Sequence, residues 1–176
     1  MIVTVVTFSL ALTLPDTAAT MQALLECHFG REDFDNDIRC PVGCTTSPPQ
    51  LENVTTVKRW APVLFLTLKR FKRVEGGTFK KRTLVQHSDR GSLMLDGKHT
   101  YHLHAIVEHK GSDFDTGHYI TFVRRTDTLW LECDDEHAPR VVTLEEVLQK
   151  EAYLLFYQRD TLEETPATID GVHPID

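Results

Sequence analysis

The sequence predicts an α+β fold built on a mainly antiparallel β-sheet with a few short helices. Two alternating apolar runs, at 101–107 and 119–123, flank a glycine-bounded loop, which is typical of a β-hairpin with a long connection. Apolar stretches at 62–71 and 152–159 indicate further strands inside the sheet. Helical spacing of apolar residues is confined to two short segments, near 20–29 and 143–150.

The N-terminal segment alternates apolar residues at period two, which predicts a β-strand ending before Pro15. A secretory signal peptide is the alternative, and it is disfavoured because no Lys or Arg precedes the apolar run. A helix should follow, with Asp16 or Thr17 as its N-cap and Gly30 as its end. Its apolar positions are Met21, Leu24, Leu25 and Phe29.

The middle of the chain is predicted to be irregular on both sides of one strand. Residues 31–50 are polar and contain Cys40 and Cys44, so we expect a loop or a small knuckle. The continuous apolar start of the 62–71 run indicates a central strand buried on both faces. Residues 72–100 carry glycines among charged residues and one strand-like piece near 83–86, which predicts a loop-rich surface.

The last third of the chain has the clearest pattern. Residues 130–133 form a short predicted strand, and 143–150 a short helix capped by Thr143 with Glu146 three positions later. A final buried strand is expected at 152–159. The acidic stretch from Asp160 onward is predicted to be a flexible tail.

The composition is that of a globular domain, with 176 residues, 41% hydrophobic residues and a formal net charge of −7. This acidic balance argues against a nucleic-acid or anionic-membrane partner, and no apolar run is long enough to cross a bilayer as a helix. Seven of the 19 Lys and Arg residues lie in 68–82, which predicts a solvated basic loop. Four irregularly spaced cysteines favour a reducing, intracellular compartment over a disulfide scaffold.

His118 is the candidate catalytic residue of the hairpin. A histidine acts as a general base when one ring nitrogen bonds to a carboxylate, and Gly117 leaves room beside this ring. If the 130–133 strand pairs beside the strand that begins at His118, Asp134 would reach the imidazole. Taken alone, these two residues are more typical of polar surface loops than of a catalytic pair.

Four blocks, in this order, resemble the C-terminal half of a ubiquitin-specific protease catalytic domain: VLFLTLKRF, YHLHAIVEHKGSDFDTGHYITFVR, WLECDD and AYLLFYQR. The resemblance implies the palm of a papain-like cysteine protease without its helical thumb lobe. It divides the chain into a fingers-like part at 1–60, a palm at 61–159 and the acidic tail at 160–176.

The same resemblance implies roles for individual residues. His118 takes the catalytic histidine position, Asp134 the orienting acid, and Asp135 a secondary polar position near the oxyanion. Loop 111–117 resembles a blocking loop that closes over the ubiquitin tail, which makes Gly111, Asp113, Asp115, Gly117 and Tyr119 candidate substrate contacts. Loop solubility explains the two aspartates equally well. The implied chemistry is attack by a cysteine thiolate on the carbonyl of the last ubiquitin glycine, with His118 passing the proton.

The family's nucleophile box has no counterpart before His118. Cys27 and Cys133 are predicted to be packing residues, so we expect the isolated chain not to cleave ubiquitin conjugates. Two hypotheses remain open. The first is a deubiquitinase palm whose thumb lobe lies on a separate chain, in a longer gene product or in sequence lost by truncation. The second is a non-catalytic module that binds ubiquitin or ubiquitinated proteins.

Catalysis of this type requires no cofactor. Cys40 and Cys44 form at most half of a zinc site, because a structural site needs four ligands and these two are separated by three residues. Free thiols are therefore favoured over zinc. A metal-binding adaptor centred on this pair is the third, weakest hypothesis.

Overall fold

A computed structural model describes residues 9–33 and 52–160. These residues form fourteen strands and two helices. In chain order the elements are β1 (Leu10–Thr13), β2 (Ala19–Thr20), α1 (Met21–Phe29), β3 (Arg31–Asp33), β4 (Glu52–Val54), β5 (Val63–Lys69), β6 (Phe71–Val74), β7 (Gly77–Lys80), β8 (Val85–Gln86), β9 (Ser92–Leu95), β10 (His99–Lys110), β11 (His118–Arg124), β12 (Trp130–Cys133), β13 (Arg140–Val142), α2 (Leu144–Leu148) and β14 (Ala152–Arg159).

One sheet of eight strands organises the described residues. Its order is β1-β5-β14-β10-β11-β12-β13, with β9 paired to β10. Every pairing in it is antiparallel except that of β1 with β5. Three two-stranded sheets lie outside it: β2 with β8, β3 with β4, and β6 with β7. The α+β class with a mainly antiparallel sheet is therefore confirmed.

The core lies on one face of this sheet. Leu66, Leu155, Ile106 and Phe122 are successive ladder partners across four strands, and none is more than 1% exposed. Both helices add buried side chains to the same cluster, including Leu25 and Val147. Burial of one such apolar side chain contributes about 1.5–3 kcal/mol, so this row fixes the order and register of the central strands.

The local predictions for the last third are confirmed. The 101–123 region is a hairpin of β10 and β11, and β12 and β14 have the predicted bounds. In α2, Thr143 Oγ1 accepts a hydrogen bond from the Glu146 amide while the Glu146 carboxylate accepts one from the Thr143 amide. Strand β13 was not predicted, and its three residues pair with β12 at the edge of the sheet.

The predicted N-cap of α1 is wrong, although Gly30 does end the helix. Thr20 is the cap, because its Oγ1 accepts a hydrogen bond from the Ala23 amide. Asp16 instead forms an ion pair with Lys81 at 2.7 Å, which lowers the pKa of the Asp16 carboxyl. The residue predicted to cap the helix therefore pairs with a lysine that is distant in sequence.

The prediction of a loop-rich surface at 72–100 is also wrong, although its strand-like piece near 83–86 is confirmed by β8. The basic run forms the β6–β7 hairpin, whose turn places Gly76 at φ 90°, and β8 and β9 follow it. Strand β5 is interior but not buried on both faces, because Leu64, Leu66 and Leu68 are buried whereas the residues between them are half-buried. Charged residues at alternate positions do not prevent strand formation when one face stays in water.

Several predictions fall partly or wholly outside the described residues. Strand β1 begins at Leu10, so the earlier part of the N-terminal strand lies outside them, as do Cys40, Cys44 and the tail beyond Asp160. Residues 31–33 and 52–54 pair as strands β3 and β4, which the predicted loop did not include. Within 9–33 and 52–160, no helix is long and apolar enough to cross a membrane.

His87 makes the stability of the fold depend on pH. Its Nδ1 lies 3.0 Å from Oη of the buried Tyr157, and burial lowers the pKa of His87 to about 4. The unfolded chain takes up this proton near pH 6.5 but the folded chain only near pH 4, so His87 contributes stability above pH 6.5 that is lost as pH falls through 4. The loss is roughly 3 kcal/mol.

We expect the free energy of unfolding in urea to depend less on pH between 7 and 4 in His87→Gln than in the unmodified chain. The exposed His104→Gln is the control. An unchanged pH dependence in His87→Gln would contradict the assignment.

Candidate active site

Strand pairing brings the two predicted polar residues together. His118 is the first residue of β11, and Asp134 directly follows β12. The two strands are antiparallel neighbours with Thr121 opposite Cys133, so the start of β11 faces the residues that follow β12. His118 Nε2 is hydrogen-bonded to Asp134 Oδ1. The predicted antiparallel meander is therefore present, and the two residues are in direct contact.

Asp135 lies on the other side of the imidazole. Its Oδ2 is 3.6 Å from His118 Nδ1, and its backbone is left-handed at φ 45°. The turn that follows is held by hydrogen bonds to the Asp134 carbonyl from the His137 amide and Nδ1, each at 3.0 Å. This turn directs the carboxylates of Asp134 and Asp135 to opposite nitrogens of one ring.

The two carboxylates change the acid–base properties of His118. The hydrogen bond to Asp134 raises the pKa of His118, desolvation opposes this increase, and the charges of Asp134 and Asp135 add to it. The imidazole side chain is 42% exposed. Nε2 is thus fixed by Asp134, while the Nδ1 edge is the one that a reacting group would approach. A protonated imidazole in this setting can stabilise a neighbouring thiolate.

Loop 111–117, which connects β10 to β11, is packed against aromatic side chains. Phe114 of this loop contacts Phe71 of β6 edge to face, with ring centroids 5.6 Å apart. Phe71 also contacts His109 and Tyr153 in the same way. Sequence reasoning did not single out Phe71, Phe114 or Tyr153, because they come together only when β6 and β14 approach the hairpin.

The loop ends in a contact that requires glycine. A Cβ on Gly117 would lie 2.1 Å from His109 Nε2 and 2.6 Å from the Lys110 carbonyl oxygen. Gly111, at the other end, has φ +151°, a conformation that side chains rarely adopt. His109 is only 1% exposed, so the ring cannot easily move away. The two glycines therefore determine where the loop meets His118.

The other candidate substrate contacts lie on the open surface beside this site. Asp113 and Asp115 are exposed, and Ser112 Oγ donates to the carboxylate of Asp113. Tyr119 is 48% exposed, and its ring lies 4.9 Å from that of His109 and 6.3 Å from that of Tyr153. Their exposure leaves these side chains accessible to a ligand, without deciding between substrate binding and loop solubility.

No described cysteine belongs to the His118 cluster. Within residues 9–33 and 52–160, one group of three or more His, Cys, Asp or Glu side chains has its ligand atoms within 4.8 Å of one another, and it consists of His118, Asp134 and Asp135. Cys133 is half-buried in β12, but Cys27 is exposed on α1, so the predicted packing role of Cys27 is wrong; both are free thiols. Asp134 is hydrogen-bonded to Nε2 of His118, and Asp135 lies 3.6 Å from Nδ1 without a hydrogen bond, so the ring is oriented while Nδ1 stays available.

The sheet and the histidine hairpin together define the palm of a papain-like protease fold. A family model described as ubiquitin carboxyl-terminal hydrolase matches residues 17–157. The chain belongs to the ubiquitin carboxyl-terminal hydrolase family.

Curated relatives agree with this assignment. The chain is 30% identical over 146 residues to human ubiquitin carboxyl-terminal hydrolase 17-like protein 1, which covers 80% of this chain and 27% of the relative. It is 43% identical over 67 residues to ubiquitin carboxyl-terminal hydrolase nonstop of Drosophila melanogaster, covering 38% of this chain and 13% of the relative. The chain thus spans well under half of either protein.

Solved structures extend the match to three dimensions. A SAGA DUB module of Ubp8, Sgf11, Sus1 and Sgf73 bound to monoubiquitin superposes with a TM-score of 0.73 at 26% identity, covering 86% of this chain and 35% of that chain. The same module bound to ubiquitin aldehyde gives a TM-score of 0.72 at 25% identity over 86% of this chain and 35% of that one. The absence of a helical thumb lobe from the described residues agrees with this partial coverage.

Proposed function

We propose that this chain supplies the histidine and the orienting acid of a thiol-dependent deubiquitinase that cleaves after the C-terminal glycine of ubiquitin. The observation that carries the proposal is the hydrogen bond between His118 Nε2 and Asp134 Oδ1, next to a glycine-bounded loop. Membership of the ubiquitin carboxyl-terminal hydrolase family supports a ubiquitin substrate. Two structural neighbours are complexes with monoubiquitin or ubiquitin aldehyde, which is consistent with it.

The roles follow from the geometry of the ring. Asp134 holds Nε2 and leaves Nδ1 for the proton of a cysteine thiol, so the raised pKa of His118 favours an imidazolium–thiolate pair. Asp135, 3.6 Å from Nδ1, is close enough to contact the reacting group and is proposed to act as a secondary polar residue. Gly111, Gly117 and Tyr119 border the proposed path of the ubiquitin tail.

The nucleophile is proposed to come from sequence other than the described residues, because the His118 cluster contains no cysteine. Sequence that carries the thumb lobe would supply it, either on a separate chain or in a longer form of this one. The second candidate function is a non-catalytic ubiquitin-binding or scaffold module. The absence of a cysteine from the His118 cluster favours it. Both candidates predict that ubiquitin approaches His118, and they differ in whether a thiol meets it there.

Ubiquitin with an electrophilic C-terminus tests the proposal on the chain of 176 residues. We expect no covalent adduct by mass spectrometry, because no described cysteine accompanies His118. Unmodified ubiquitin should shift the ring resonances of His118 and the amides of Gly117 and Tyr119, and ubiquitin without its C-terminal glycine should shift them less. An adduct that disappears in Cys27→Ala or Cys133→Ala would place the nucleophile in this chain.

A control separates tail recognition from general association. His104 is exposed on β10, so His104→Ala should leave the ubiquitin-induced shifts unchanged, whereas His118→Ala should remove the effect of tail truncation. If ubiquitin produces no shift near His118, or if truncation has no effect, the proposal is wrong.

A further inference from the structure

A cleft of about 320 Å³ lies beside the first residue of loop 111–117. His118 does not line it, although Gly111, one of the candidate substrate contacts, does. Its charged lining residues come from β7, β10 and the segments after β7 and α2. They are four cations, Lys80, Arg82, Lys110 and Lys150, and two carboxylates, Glu108 and Glu151.

Both carboxylates are already paired with cations of the cleft. Glu151 lies between Lys80 at 3.3 Å and Arg82 at 3.2 Å. Glu108 pairs with Lys110 at 2.9 Å. Four positive and two negative side chains leave an excess of two positive charges, which the cleft residues themselves do not neutralise.

The wall of the cleft includes buried polar residues. Lys80, Glu108 and His109 are 6%, 4% and 1% exposed, and Lys80 Nζ donates to the His109 carbonyl oxygen at 2.5 Å. His109 Nδ1 is buried and has no hydrogen-bond partner among the described residues. This nitrogen is buried, so it is not counted among the groups that a ligand in the cleft contacts.

We propose that this cleft is a binding site for a phosphate group. A phosphate monoester carries about −1.5 to −2 charges at pH 7, which matches the excess of two positive charges. Arg82 and Lys110 have side chains that are 61% and 53% exposed, so they can turn toward the ligand while the buried Lys80 fixes its position. A carboxylate would neutralise only half of the excess charge. The site does not depend on the proposed function.

The first experiment titrates the intact chain with inorganic phosphate at constant ionic strength and follows the amides of Gly111 and Lys110 by NMR. We expect saturable shifts with phosphate and weaker, non-saturating shifts with acetate. Equal binding of acetate, or no saturation with phosphate, would overturn the proposal.

A short phosphoserine peptide and its unphosphorylated form then distinguish the source of the phosphate group. Tighter binding of the phosphopeptide indicates that the ligand is a phosphorylated protein, and binding of inorganic phosphate alone indicates that it is the free ion.

Two variants of equal charge give the decisive comparison. Arg82→Gln removes a cation of the cleft but leaves Glu151 paired with Lys80, and it should weaken phosphate binding about ten-fold. Arg73→Gln removes an exposed arginine of β6 that does not line the cleft, so it should change the affinity for phosphate by less than about two-fold. Equal effects of the two variants would show general electrostatic attraction and would overturn the site.

A third variant acts in the opposite direction. Glu151→Gln removes a carboxylate that lies between two cations of the cleft, so phosphate should bind more tightly than to the unmodified chain. Partial unfolding cannot produce tighter binding, which protects this test from a loss of structure. Weaker binding by Glu151→Gln would contradict the electrostatic basis of the proposal.

Discussion

Replacing Arg70 by alanine is expected to destabilise the fold by about 3–5 kcal/mol. Arg70 follows β5 and is completely buried. Its Nε donates to the Ala152 carbonyl at 2.5 Å, and its Nη1 donates to the carbonyls of Lys81 and Thr83 at 3.0 and 2.9 Å. The alanine variant would leave three carbonyl groups without donors and open a cavity among segments that are distant in sequence.

Urea unfolding of Arg70→Ala, Arg70→Met and Arg90→Ala measures this effect. Arg70→Met fills most of the volume without supplying donors and removes a buried charge, so it should cost less than Arg70→Ala. Arg90 is exposed, and its replacement should change the free energy of unfolding by less than about 0.5 kcal/mol. A loss below about 1 kcal/mol for Arg70→Ala would show that the three hydrogen bonds contribute little.

Gly117→Ala is expected to displace His109 and with it the end of loop 111–117. The new Cβ would lie 2.1 Å from His109 Nε2 and 2.6 Å from the Lys110 carbonyl oxygen, distances that real side chains do not show. Overpacking of this kind costs about 1–3 kcal/mol and occasionally more. Because His118 is the next residue, we also expect its ring resonances and its affinity for ubiquitin to change.

Gly97→Ala is the matched control. Gly97 has φ +67° and open space around its Cα, so alanine there should cost only the backbone strain of about 1 kcal/mol and leave the His118 resonances unchanged. The variants therefore separate steric displacement near the site from general loss of stability. A Gly117→Ala protein with native His109 and His118 resonances would show that the loop end tolerates a side chain.

Local patterns predicted the C-terminal part of the fold because β10, β11, β12 and β13 pair in the order in which they follow one another along the chain. The alternation in β10 and β11, the strand at 130–133 and the capping box of α2 all depend on residues a few positions apart. Antiparallel neighbours along the chain also share ends, so the contact between His118 and Asp134 followed from the predicted meander.

Contacts between distant segments could not be predicted in the same way. Asp16 has the pattern of a helix cap but pairs with Lys81, and Arg70 belongs to a basic run that predicted solvent exposure but is completely buried. The β6–β7 hairpin carries Phe71 to His109, Phe114 and Tyr153, which no local pattern indicates. These outcomes depend on which segments meet in space.

The sequence by itself determined the class of fold, the strand order around the histidine hairpin and the pairing of His118 with an acid, because hydrophobic periodicity and turn chemistry act over a few residues. Only the tertiary structure decided the packing of His109 on Gly117, the burial of Arg70 and the cationic cleft beside the loop. The free energy of a charged side chain depends on its neighbours in three dimensions, and a linear pattern does not contain them.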